Sequence, residues 1–154
     1  MKCLVIVQCG NKKIWDDQPN AGATPAEHAY VSAYFQGNKE YAKRFGDKWM
    51  ILSAKFGFID PSFMIPCNYN VTFKKLSTGP ISAKELREQV MQKGLHHFDE
   101  VEVLGGCEYV KKVKEAFEGC KAKIIAPLEG LSIGLKMNKV RCALETGRPL
   151  RIQH

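Results

Sequence analysis

The sequence predicts a single α/β domain with a four-stranded, mostly parallel sheet and helices on both of its faces. Two observations carry this. Short apolar runs alternate with longer segments of helical spacing, the order that a parallel sheet with crossover helices requires. The first run, Cys-Leu-Val-Ile-Val from Cys3, is almost unbroken, which marks a strand buried on both faces. A chain of 154 residues can bury one real core, and no change in composition divides it.

The elements follow in order. The first strand stops at Cys9-Gly10 and is followed by Asn11, Lys12 and Lys13, so a glycine and two ammonium groups fall at the carboxyl end of a central strand. Sheets of this kind bind anions there. Ile14 to Ala23 reads as a long polar loop. Thr24 as N-cap, Pro25 in the first turn and Glu27 as capping-box partner then open a helix that runs to Gly46. Its apolar face is Ala26, Tyr30, Ala33, Tyr34, Tyr41 and Phe45. Aromatics at this spacing are core residues; stacking of Tyr30 or Tyr34 on a base is the alternative.

Lys48 to Ser53 is the second strand, followed by Ala54-Lys55-Phe56-Gly57. From Phe58 to Gly79 no period is sustained. This segment, which carries Asp60, Tyr69, Asn70 and the pair Lys74-Lys75, reads as an ordered loop over the strand ends with a short strand at Val71 to Phe73. Ser82 and Glu85 form a second capping box on a helix that closes at His96 and His97.

Glu100 to Leu104 is the third strand, and Gly105-Gly106-Cys107-Glu108-Tyr109 leads from it into a helix. A glycine pair there lets backbone approach a ligand. Lys123 to Ala126 is the fourth strand. The following loop holds Glu129, Gly130 and Ser132 and opens the last helix, which Gly147 ends; Arg148 to His154 is an edge strand or a tail.

Right-handed crossovers place all four strand-to-helix loops on one edge of the sheet. With strand order 2-1-3-4, the loops Cys9 to Lys13 and Gly105 to Tyr109 would wall a crevice at the point of reversal. The predicted architecture is Rossmann-like, yet the chain carries no G-x-G-x-x-G, no Walker lysine motif and no H-E-x-x-H.

The net charge of +7 favours an anionic partner: nucleic acid, nucleotide or phosphate. Six cysteines occur without a C-x-x-C pair or a Cys/His cluster, so they read as small apolar residues, with Cys9, Cys67 and Cys107 in or beside the site loops. No metal and no cofactor is expected. No apolar run approaches the roughly 20 residues of a membrane span, and the first run is too short for a signal peptide. The expectation is a cytoplasmic protein with no membrane partner.

The combination of C-G-x-K-K, Pro25-Ala26 with Tyr30 and Phe35, ILSAKFGFIDP, Tyr69 with Thr72, GG-x-x-Y-V and PL-x-G-x-x-x-G resembles an uncharacterised domain family of bacteria, archaea and phages. The match spans Val5 to about Leu144. That family resembles, more distantly, the peroxide-stress YaaA-like proteins, which are associated with DNA binding. It is also similar in layout to uracil-DNA-glycosylase-like domains, including relatives in 7-deazaguanine modification of nucleic acids. Members of the family tend to carry Tyr-Asp in the long loop where this chain has Tyr69-Asn70. If that Asp is catalytic in them, Asn70 can only bind or orient.

The leading expectation is a protein with a nucleobase site that hydrolyses an N-glycosidic bond in DNA or in a nucleotide. Such a cleavage needs a carboxylate for the oxocarbenium charge, stabilisation of the departing base and cations for phosphate. Lys12, Lys13 and Lys55 are the phosphate ligands in this reading, with Gly10, Gly105, Gly106, Gly130 and Ser132 giving backbone access beside Cys9. Tyr69 or Tyr109 stacks on the base, Asn70 and Ser53 read its edge, and Glu129 or Asp60 supplies the carboxylate. The rival is a binding module without catalysis that uses the same pocket. A further rival makes Cys9 a nucleophile whose thiolate is held by Lys12 or Lys13.

Overall fold

A computed structural model describes residues 1–153 of the chain. Its core is a five-stranded sheet. Four strands are parallel: β1 (Cys3–Gln8), β3 (Lys48–Ser53), β6 (Glu100–Leu104) and β7 (Lys123–Ile125). The fifth, β4 (Gly57–Ile59), pairs antiparallel with β3, so the order is β4-β3-β1-β6-β7. The four expected strands therefore stand in the order 2-1-3-4, and the predicted count of four is corrected to five. Sequence reading placed β4 inside the long loop because it is only three residues long and follows a tight reversal. Gly57 makes that reversal with φ +78°, a left-handed conformation that suits glycine.

β1 is the axis of the sheet. It pairs with β3 on one side and β6 on the other, and Leu4, Val5, Ile6 and Val7 are wholly buried. An unbroken apolar run is the composition that a strand covered on both faces needs. Beside it, α3 (Ala33–Phe45) packs on β1, β3 and α6 (Ile133–Thr146). On the other connections, α4 (Ala83–Gln92) and α5 (Cys107–Ala116) pack together, with α4 also against β4. Helices thus form two layers, as right-handed crossovers in both directions from β1 require.

The region before α3 departs from the single long helix expected. The polar loop contains a short helix, α1 (Ile14–Asp17), with Trp15 buried and its indole N–H donating to the Gly22 carbonyl at 2.9 Å. Thr24 is not an N-cap: β2 (Thr24–Pro25) pairs antiparallel with β5 (Met64–Ile65) in a small second sheet. A short α2 (Ala26–Ala29) follows, and the chain extends at Tyr30 (φ −96°, ψ 122°) before α3 begins. What breaks the helix is a partner: Tyr30 bridges to Lys13, and the Val31 N–H donates to the Lys12 carbonyl at 3.1 Å. Ser32 then caps α3 by accepting from the Phe35 N–H. A serine ahead of Ala33 was the signal for this start.

Ser82 caps α4 as expected, accepting from the Glu85 N–H at 3.1 Å. Ser132 caps α6, and Gly147 ends it with φ +74°. Val71 to Phe73 is not a strand: the chain turns at Phe73-Lys74, with Phe73 buried edge-on against Tyr109. The tail is a helical turn at Leu150–Gln153, not an edge strand; His154 lies outside the described residues.

That turn closes a buried ionic cluster. Glu102, on β6 and wholly buried, accepts from the Tyr41 hydroxyl at 2.8 and 2.9 Å and from Arg151 Nη1 at 3.1 Å. Arg151 Nη2 also donates to the Phe45 carbonyl, and the Leu150 N–H donates to the Tyr41 hydroxyl. Burial raises the Glu102 carboxyl above its ordinary value, while Tyr41 and Arg151 draw it down.

Candidate functional site at the carboxyl rim of the sheet

Because β1, β3, β6 and β7 are parallel, the loops that follow them share one rim. Two features form there, joined at Cys9: a buried polar nest and an open cleft.

The nest gathers side chains from five separated segments. The Tyr69 hydroxyl is hydrogen-bonded to the Tyr30 hydroxyl and lies 3.0 Å from Ser53 Oγ. Ser53 Oγ in turn accepts from the Lys55 and Phe56 N–H groups, both at 3.2 Å, which fixes the turn after β3. Cys9 Sγ lies 3.2 Å from the Tyr109 hydroxyl. Above Tyr69, the Lys13 ammonium sits 4.5 Å from the ring centroid and that of Lys55 5.6 Å.

Burial sets the charge states of this nest. It raises the Tyr30, Tyr69 and Tyr109 phenols far above the ordinary tyrosine value, so all three are neutral donors. It also raises the Cys9 thiol, against the opposing pull of Tyr109, the Ala54 backbone and Lys13. A protonated thiol is a poor nucleophile, which weighs against that role for Cys9. Lys13 is the buried cation of the nest, Lys55 being exposed. It is 8% exposed, its ammonium donates to the Asn11 carbonyl at 3.4 Å, and no carboxylate forms a salt bridge with it among the described residues. Burial lowers its pKa from the ordinary lysine value, with Cys9 and Asp16 acting the other way.

The cleft, about 690 Å³, opens between the loop after β1 and the start of α5. Gln8, Cys9, Gly10, Asn11 and Lys12 form one wall, and Gly106, Cys107 and Glu108 the other. Ser32 and Tyr34 from α3, Lys74 from the long loop, and Ile133, Lys136 and Met137 from α6 complete it. Three of its side chains are ammonium groups and one is a carboxylate. Gly106 is the N-cap of α5, where a helix presents unpaired N–H groups. Gln8 Oε1 accepts from the Gly106 N–H at 2.9 Å and ties the walls together. A Cβ on Gly105 would stand 3.1 Å from Gln8 Cβ and 3.2 Å from Tyr109 Cβ, so close approach of the two strand ends calls for glycine there.

The residues expected from sequence divide accordingly. Cys9, Gly10, Lys12 and Gly106 line the cleft; Cys9, Lys13, Ser53, Lys55, Tyr69 and Tyr109 belong to the nest. Gly105 sits beneath both. Tyr69 and Tyr109 are engaged through their hydroxyls and buried, 9% and 8% exposed. Lys12 is exposed and forms a salt bridge with Asp17 at 3.6 Å. Gly130 and Ser132 lie in the exposed loop after β7, where Gly130 has φ +81° and Ser132 serves as a cap.

The expected catalytic residues Asp60, Glu129 and Asn70 fall elsewhere. Asp60 follows β4, which runs antiparallel and carries the chain away from the rim, and it is exposed. Glu129 and Asn70 are exposed and line neither feature. Sequence reading did not single out Gln8, Ser32, Lys74, Ile133, Lys136 or Met137 as site residues, nor Glu108, although Glu108 lies within the expected wall from Gly105 to Tyr109. Of these, Glu108 carried a signal, because it is the one acidic residue in the glycine loop opening α5. Gln8 ends the central strand and Lys74 lies in the long loop, while the rest depend on which helix ends the topology brings to the rim. Among the described residues no group of His, Cys, Asp and Glu is arranged to hold a metal ion, and no helix is long and apolar enough to cross a membrane. All six cysteines are free, Cys67, Cys107 and Cys142 being exposed.

Comparison with known proteins gives the class. The sequence model of the family of unknown function DUF6884 matches residues 4–141, and the chain belongs to that family. It is 42% identical over 146 residues to the uncharacterised protein YfjM of Bacillus subtilis (strain 168), an alignment covering 94% of this chain and 97% of YfjM. No solved structure matches the chain.

Proposed function

We propose that this protein binds a nucleotide, or the phosphate backbone of a nucleic acid, in the cleft at the carboxyl rim. One observation carries the reading: the first turn of α5 and the side chains of Lys12, Lys74 and Lys136 converge on one opening that holds a single carboxylate, Glu108. Unpaired amides and ammonium groups together are what a phosphate requires. The net charge of +7 and the resemblance to YaaA-like proteins point the same way.

A second reading, hydrolysis of an N-glycosidic bond, is favoured by Glu108. Its position in the cleft supplies the carboxylate that Asp60 and Glu129 do not supply there. In this reading the neutral phenols and the Lys13 ammonium, buried behind the cleft where it meets the nest at Cys9, stabilise the departing base. The resemblance to uracil-DNA-glycosylase-like domains supports this chemistry.

Both readings are open to one series of measurements. Titration with nucleoside monophosphates and with a single-stranded oligodeoxynucleotide at several salt concentrations should show binding that weakens with salt. Lys12→Ala with Lys136→Ala should reduce affinity and flatten the oligonucleotide salt slope by about 0.7 for each phosphate that is no longer neutralised. An unchanged slope removes the cleft from the binding surface. Incubation with DNA bearing modified bases, followed by chromatography for released base, tests hydrolysis; product from wild type and none from Glu108→Gln is the expected result of the second reading.

A further inference from the structure

Between α3 and α6 lies a smaller groove of about 230 Å³ that shares Tyr34 and Met137 with the cleft. Its sides are mostly apolar, with Val140 and Leu144 opposite Ala33 and the Arg141 side chain as the one charged lining group. There is open space over Gly37, where a Cβ would meet only Val140 Cγ1 at 3.9 Å. Asn38 Nδ2 and the Tyr34 hydroxyl are buried at this groove without a well-formed hydrogen bond among the described residues. Against the rise that burial imposes, Asn38 is close enough to draw the Tyr34 phenol down, which leaves the second amide N–H and the phenol O–H without an acceptor. Asn38 is 1% exposed. Unpaired donors in such a place are unfavourable unless something supplies acceptors.

We propose that this groove takes the planar base of a nucleotide whose phosphate occupies the neighbouring cleft. The proposal rests on the phosphate-binding reading above and adds what lies at the other end of the ligand. A base has two apolar faces and an edge of carbonyl and ring-nitrogen acceptors, which match the apolar sides and the Asn38 and Tyr34 donors. Lys136 stands at the junction. Its ammonium lies 5.9 Å from the Tyr34 ring and 3.3 Å from where a Gly106 Cβ would be, so it reaches both the groove and the N-terminus of α5.

Calorimetric titration of the whole chain with the common nucleoside monophosphates and with ribose 5-phosphate separates the two ends of the ligand. At least one nucleotide should bind about tenfold tighter than ribose 5-phosphate. Asn38→Leu should remove that advantage, leave ribose 5-phosphate binding unchanged and raise Tm, because an unpaired amide is lost. Gly37→Leu, which fills the groove from the surface of α3, should give the same loss of nucleotide preference by an independent route.

Equal affinity of wild type for ribose 5-phosphate and every nucleotide would overturn the base subsite while leaving the phosphate reading intact. A higher Tm in Asn38→Leu with unchanged nucleotide affinity would show that the groove holds water only and overturn it as well. Failure of every compound, ribose 5-phosphate included, would overturn the phosphate reading and this proposal with it.

Discussion

Cys9 Sγ and the Tyr109 hydroxyl meet at 3.2 Å across the rim, although 100 positions separate them in the chain. The pair joins the end of β1 to the first turns of α5. Because burial raises the Cys9 thiol, alkylation by iodoacetamide at pH 8 should modify the exposed Cys67, Cys107 and Cys142 well before Cys9. Peptide mass mapping over time reads this directly. Cys9 reacting first would restore the nucleophile reading.

Lys13 should leave a mark on stability at alkaline pH. Its folded pKa lies below the ordinary 10.5, so between the two values the unfolded chain holds the extra proton. Stability contributed by this group therefore rises as pH climbs through that interval. Denaturant midpoints measured from pH 7 to 10.5 should show the rise in wild type and lose it in Lys13→Met. A rise of equal size in the variant would mean that the ammonium is not desolvated.

The Glu102 cluster should respond in the opposite sense. Its carboxyl titrates above the ordinary 4.5, so the folded chain binds more protons in that window and stability falls as pH rises through it. Arg151→Met removes the counter-charge, extends the window upward and should cost about 3–5 kcal/mol at neutral pH. Adding Glu102→Gln should recover much of that loss. Urea unfolding at pH 5 and pH 8 distinguishes the cases; a loss independent of pH would assign the effect to packing alone.

Gly57→Ala should destabilise the edge of the sheet. At φ +78° a side chain costs about 1–3 kcal/mol in the backbone alone. Its Cβ would also land on the Gln89 amide, which accepts from the Phe58 N–H at 2.8 Å and donates to the Phe56 carbonyl at 3.0 Å. Gly22→Ala, where φ is +74° with nothing within 4 Å of the new Cβ, is the control for the backbone part. Equal losses of Tm in the two variants would show that Gln89 yields freely.

The four parallel strands were legible because each is an apolar run that stops at a small residue, and right-handed connection fixed which edge their loops share. Long-range pairing was not legible. Tyr30 belongs to a helical pattern, yet its contact with Lys13 extends the backbone and starts α3 later, at Ser32. Lys13, read as a phosphate ligand from its place in the loop, lies instead under the rim on the Tyr69 ring. Its neighbour Lys12 reaches solvent, and a loop of consecutive lysines carries no sign of which one turns inward. Asp60 was misplaced for the same reason that β4 was missed: a three-residue antiparallel strand reverses the direction of travel without changing the composition.

The Gln8 side chain, reaching from the central strand to the Gly106 amide, makes the mouth of the cleft a gauge rather than a jaw. Its width is set by a residue at the end of the innermost strand and not by the loops on either side of the opening. The opening can therefore be altered at one position: Gln8→Asn, one methylene shorter, falls short of the Gly106 amide and releases the walls, while every ammonium group around it stays in place.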